Sequence, residues 1–220
     1  MQSYTFLSTK LVAAQRTATD LIKAYFASCF TPEDPRTLIS TPTYSVTPEN
    51  VTVQLFSYES SITRFTKSVG PTKSPSKLSD SALNSLVAAL SRLFSSTLNP
   101  SVLGSTPVPV QLRIVRLHHP YLNSSILAQF LALNASKYGF ARLRHYVLSA
   151  IPLTTISNPT TESIILGVKV QVSGLLTTQR MAPRKTVSTV STGTFHGLNT
   201  HVDYSSHTTK SALGSYTVKV

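Results

Sequence analysis

Cysteine occurs once, at Cys29, and tryptophan not at all. A single thiol excludes an internal disulfide and any zinc site built from several cysteines. It fits a reducing compartment. Glycine numbers only 8, and neither the Walker spacing nor the dinucleotide-binding spacing occurs, so there is no glycine-rich phosphate loop. The GXXG signature of a KH nucleic-acid module is also missing. Acidic residues number 8 in a chain of 220, too few to furnish paired carboxylates in the C-terminal half. No apolar run reaches the ~18 residues that cross a bilayer. These absences leave few parts for an ordinary enzyme site. The expectation is a non-enzymatic protein without cofactor, metal or small-molecule substrate, and not a membrane protein.

Positive charge and hydroxyls are what the chain has. Lys and Arg number 20, giving a formal net charge of +12. Residues 1–80 carry 8 bases and 6 acids, whereas residues 81–220 carry 12 bases and only Glu162 and Asp203 as acids. A basic, almost acid-free half favours a polyanion as partner, and nucleic acid is the first choice over an anionic membrane surface. Ser and Thr exceed a quarter of the chain. Hydroxyls contact phosphate and sugar well, although most serve loops and strand surfaces.

Hydrophobic content of 41% permits a packed core. The basic N-terminus, with Lys10, Arg16 and Lys23, is compatible with a transit peptide. A helix from near Thr17 through Leu21, Ile22, Tyr25 and Phe26 is the preferred reading. Residues 31–50 hold four prolines and read as a loop or extended segment. Residues 51–58 alternate as a strand, and residues 68–79 form a linker rich in Pro, Ser and Lys. Asp80 or Ser81 caps a helix whose Leu83, Leu86, Val87, Leu90, Leu93 and Phe94 form one apolar stripe.

Residues 107–117 read as a strand with Val108, Val110, Leu112 and Ile114 inward and Arg113 outward. Asn123 or Ser124 caps the next helix, and a second helix, about 140–150, carries Arg142, Arg144 and His145. Residues 163–173 form the clearest strand, with Ile164, Leu166, Val168, Val170 and Val172 on the core side. Residues 185–192, 198–204 and 214–220 read as three more strands. The fold class is α+β: a C-terminal two-layer sandwich of a mostly antiparallel sheet with helices on one face, plus a divergent N-terminal α/β module. The expected organisation is an N-terminal module and linker over 1–79, an amphipathic connecting helix and loop over 80–106, and a C-terminal domain over 107–220.

Six histidines invite a search for a metal or catalytic group. His201, Asp203 and His207 are close in sequence, and on the strand reading His201 and Asp203 share a face. No cysteine and no second carboxylate supports a metal there. Ser205 beside them is a weak candidate nucleophile. The basic side chains remain: Arg142, Arg144 and His145 on one helix, and Arg180, Arg184 and Lys185 in a turn-like segment, with no acid nearby to neutralise either group.

Residues 167–176, GVKVQVSGLL, resemble a strand of the small-subunit ribosomal protein S-three family, with Gly167, Lys169, Ser173, Gly174 and Leu176 matching. VDY at 202–204, HTT at 207–209, Gly214 and the VKV at 218–220 follow in that family's order. LNSSILAQFLA at 122–132 and Phe140-Ala141-Arg142 resemble its two helices. The resemblance covers residues 107–220. Leu175 stands where the family has Arg, and the segment from Thr177 to Val187 looks like the mitochondrial, fungal-type branch.

The resemblance implies a protein of the head of the mitochondrial small ribosomal subunit. It would bind small-subunit rRNA, touch neighbouring head proteins and help line the mRNA entry channel. Arg142 matches a family position that faces mRNA, while His145 replaces Lys and Ala141 replaces Arg. The candidate RNA contacts are Arg113, Arg116, Lys137, Arg142, Arg144, His145, Lys169, Arg180, Arg184, Lys185, Lys210 and Lys219. The competing reading is an organellar RNA-binding maturation or assembly factor outside the ribosome.

Overall fold

The computed structural model describes residues 9–29, 37–47, 50–59, 80–98, 108–138, 148–149, 151, 165–175, 186–195, 201–211 and 214–220. The chain divides into two compact units, Met1–Leu117 and His118–Val220. The expected second helix at 140–150 and the linker at 68–79 lie largely or wholly outside the described residues.

The first unit contains helices α1 (Thr9–Cys29) and α2 (Asp80–Leu98) and strands β1 (Thr37–Ile39), β2 (Thr43–Val46), β3 (Val51–Glu59) and β4 (Val110–Arg116). Helix α1 begins earlier than Thr17 and buries Leu11, Ala14, Ala18, Ile22 and Phe26. Three of the four steps between these residues are four residues long, the spacing that keeps side chains on one helical face. Helix α2 buries Leu86, Leu90 and Phe94 by the same rule. Both stripes close on Val51, Val53 and Leu55 of β3, each fully buried.

Strand β3 is central. It pairs antiparallel with β1 and β2 and parallel with β4. Parallel neighbours cannot be joined by a hairpin and need a crossover. Helix α2 lies in that crossover, so it is part of the first unit rather than a connector between domains. Strand β4 likewise belongs to this unit and not to a domain starting at residue 107. The structural division falls at 117/118 because pairing with β3 holds 110–116 there.

Two strands also occupy the segment 31–50 expected to be loop or extended. They run along β3 with a break around Ser40–Pro42. Proline has no N–H to offer a ladder. At the break Ser40 N–H donates to the Phe56 carbonyl at 2.9 Å, and Phe56 N–H donates to Ser40 Oγ at 3.0 Å. A side-chain hydroxyl takes the place of the missing ladder carbonyl.

The second unit opens with a 3-10 turn at Pro120–Leu122 and helix α3 (Ser124–Tyr138). Strands β5 (Gly167–Gly174), β6 (Val187–Gly193), β7 (Ser206–Ser211) and β8 (Gly214–Lys219) come after it. They form an antiparallel sheet in the order β6-β5-β8-β7. Leu127, Leu131, Ala132 and Ala135 of α3 share one buried cluster with Val170 and Val172 of β5 and Tyr216 and Val218 of β8. Helix α3 therefore covers the face of the sheet on which those residues lie. The overall class is α+β.

The strand expected at 198–204 is not seen over the part of it that is described. Residues 201–204 are irregular and exposed, and the strand begins at Ser206. The alternation of Val202 and Tyr204 imitates a strand, yet both side chains point to solvent. The true strand is an edge strand of polar residues, whose inward positions, His207 and Thr209, carry no apolar signal. In β5 Val170 and Val172 are buried in the core, and Val168, also expected on that side, is half-buried against it. Leu166 precedes the strand and is 41% exposed, against expectation.

Candidate nucleic-acid interface

Helix α3 is held at its start by two side chains. Asn123 Oδ1 accepts from the N–H groups of Ser125 and Ile126 at 3.1 and 3.2 Å. The Asp203 carboxylate accepts from Ser124 N–H at 3.2 Å across 79 residues of chain. The first three amides of a helix have no internal partner, and here all three are satisfied. Asp203 is one of two acids after residue 80, and it is placed where the partial positive charge of the helix end favours a carboxylate. His201 is exposed and His207 turns toward the covered side of the sheet. Among the described residues, no three His, Cys, Asp or Glu side chains could hold a metal ion together.

His207 is half-buried on the inner side of β7, and burial lowers its pKa from the ordinary 6.5. The unfolded chain then binds a proton that the folded chain refuses, so stability rises with pH in that interval. The contribution is fully present above pH ~6.5 and is lost as pH falls through the depressed folded value. A His207→Gln variant should lose this acid sensitivity. Urea melts of both proteins at pH 5 and pH 8 check it, and equal pH dependence in the two would show that other groups are responsible.

The twelve candidate contacts separate by place. Arg142, Arg144, His145, Arg180, Arg184 and Lys185 lie outside the described residues. Lys137 belongs to the last turn of α3. Arg113 is exposed on β4, on the side away from Val110, Leu112 and Ile114. Arg116 is exposed but paired, its guanidinium 2.7 Å from Glu59. An exposed pair of this kind adds little stability, though it leaves Arg116 less available to phosphate.

Lys169, Lys210 and Lys219 come together on one side of the second sheet. In β5, Val170 and Val172 face α3, so Lys169, Gln171 and Ser173 face the other way. The register carries that face across the sheet. Lys219 of β8 lies opposite Gln171 and also opposite Ser206 of β7, while Lys210 lies opposite Ser215. All three lysines are exposed. The face continues with Thr189, Ser191, Ser206, Thr208, Ser215 and Thr217, and with Val187 opposite Ser173 as its apolar member; the sequence alone marks none of these as a contact. Period-two alternation makes the β5 and β8 positions legible, whereas placing a strand at 198–204 hides those of β7.

Residues 37–220 match the VAR1 family of mitochondrial ribosomal proteins. The chain belongs to that family. The match begins at the first residue of β1, so every described strand lies inside it and residues 37–80, for which the sequence offers no resemblance, are included. The chain is also 34% identical over 193 residues to the small ribosomal subunit protein uS3m of Mycosarcoma maydis. That alignment covers 83% of this chain and 66% of the relative, so the chain spans just under two thirds of the relative's length. The S-three resemblance seen over 107–220 is borne out. As a VAR1-family member, this is a mitochondrial ribosomal protein.

Proposed function

We propose that the chain is a built-in, non-enzymatic constituent of the small subunit of the mitochondrial ribosome. It binds small-subunit rRNA in the head and, through Arg142 and its neighbours, helps line the channel by which mRNA enters. The observation that carries the reading is the alignment over 83% of the chain with a small-subunit protein. The charge supports it: 12 bases against 2 acids after residue 80 suit a phosphate-rich partner. The other candidate contacts, Arg113, Arg116, Lys137, Arg144, His145, Lys169, Arg180, Arg184, Lys185, Lys210 and Lys219, fall to rRNA or mRNA on the same ground. Other head proteins are its expected neighbours.

Sucrose gradients of gently lysed mitochondria test this. Stoichiometric sedimentation with the small subunit, retained through a high-salt wash, is expected. Release by salt, or a peak at the top of the gradient, would replace the proposal with an accessory RNA-binding factor.

A further inference from the structure

We infer that the face of the β6-β5-β8-β7 sheet turned away from α3 is a docking surface for double-helical RNA, read through its backbone and not its bases. The inference takes from the ribosomal reading only the source of the RNA. One side of the sheet is committed to the core with α3. The other side carries Lys169, Lys210 and Lys219 among Gln171 and a field of serine and threonine hydroxyls. Strands β5 to β8 contain no Asp or Glu, so these ammonium groups have no carboxylate on their own sheet to pair with. Charge complementarity therefore favours a polyanion over an acidic or apolar protein segment.

The spacing suits an extended anion. Lys169 and Lys219 are diagonal neighbours, because Lys219 faces Gln171 and Lys169 is the next residue on that face. Diagonal positions of this kind stand about 7–8 Å apart. Lys210 faces Ser215, four residues along β8 from Lys219, or about 13 Å at the rise of a strand. The three charges thus spread across the sheet in the manner of contacts to successive phosphates rather than converging on one small anion.

What the face lacks decides between RNA forms. Single-strand binders stack splayed bases on aromatic rings. The outward positions of β5 to β8 hold no Phe, Tyr or His. Helical RNA offers phosphates and 2′-hydroxyls across a wide, shallow groove and is recognised by shape. Ammoniums and hydroxyls are suited to both groups. The hydroxyls are themselves ordered: Thr208 Oγ1 and Thr217 Oγ1 lie 2.9 Å apart in a hydrogen bond across the two strands.

The test uses the full chain and a triple variant, Lys169→Gln with Lys210→Gln and Lys219→Gln, whose folding is checked by circular dichroism. Binding is measured against salt for an RNA duplex of about 16 base pairs and for one of its strands alone. The variant should lose about 2 to 3 units of the log–log salt slope on the duplex, with a smaller loss on the strand. The duplex effect should be the same for two duplexes of unrelated sequence. An unchanged duplex slope would overturn the inference, as would an equal or larger loss on the single strand. Lysine acetylation of intact small subunits supplies a second readout: protection of the three lysines together with the slope loss supports the inference, and protection without it points to a protein cover and overturns it. The gradient experiment fails or succeeds independently, since a protein that sediments with the subunit can still have lysines that do not affect duplex binding.

Discussion

A Tyr216→Ala variant is expected to lose about 3–5 kcal/mol of stability, most of what a small unit can spare. Tyr216 is 1% exposed and sits in the cluster where α3 meets the sheet. Its ring belongs to the same packed group as Leu127, Leu131, Val170 and Val172. Its phenol donates to the Ala132 carbonyl, a buried bond that ties the strand to the helix. Truncation would leave a ring-sized void and remove that tie together. Tyr216→Phe separates the two contributions: it keeps the ring and should cost only about 1 kcal/mol. Urea melts followed by near-ultraviolet circular dichroism check both. An alanine variant within ~1 kcal/mol of wild type would show that the ring is not a keystone of this core. The backbone around it is equally constrained. Gly174 has φ +118°, and a Cβ there would come within 2.6 Å of the Ser215 carbonyl oxygen and 2.8 Å of Tyr216 Cα. That close strand approach is open only to glycine.

In the first unit the corresponding loss is expected from Phe94→Ala, again about 3–5 kcal/mol. Phe94 is fully buried in α2, and its ring centroid lies 6.1 Å from that of Tyr44 on β2. This variant also has a local reporter. Desolvation raises the Tyr44 phenol above its ordinary 10.0, against the lowering effect of its hydrogen bond with Thr19. The two oxygens are 2.9 Å apart. Removing the neighbouring ring should let water approach, and the phenol should then ionise nearer to its ordinary value. An ultraviolet titration of tyrosinate in wild type and variant would show this. Destabilisation with no change in titration would mean that Phe94 supports the core without shielding Tyr44.

Periodicity makes the sequence legible wherever a residue's side decides its burial. Leu86, Leu90 and Phe94 declare α2, and Val170 and Val172 declare β5, because burial against a neighbour repeats with the geometry of the element. Partnership is not declared in this way. Nothing in 107–117 taken alone says that β4 runs parallel to β3, so chain order groups the strand with the helix after it instead. Polar β7 escapes notice for the opposite reason, since an edge strand needs no apolar residues to form its ladder. The three lysines of the sheet face, Lys169, Lys210 and Lys219, are legible as bases. Their sharing of one face emerges only from the register of β8 against both β5 and β7.

The bond between Asp203 and Ser124 has a consequence in time. A ribosome adding about 5–20 residues each second makes the carboxylate some 4 to 16 s after the amide it caps. Strand β8, which neighbours β5 in the finished sheet, comes later still. Through that interval the emerging α3 has its local Asn123 cap but neither its distant carboxylate nor Tyr216 against its side. A helix of 15 residues is marginal on its own. The second unit therefore completes its fold late in its own synthesis, and a nascent-chain stall placed just before residue 203 would catch its apolar helix face with β5 already made but without the cover that Tyr216 and Val218 supply.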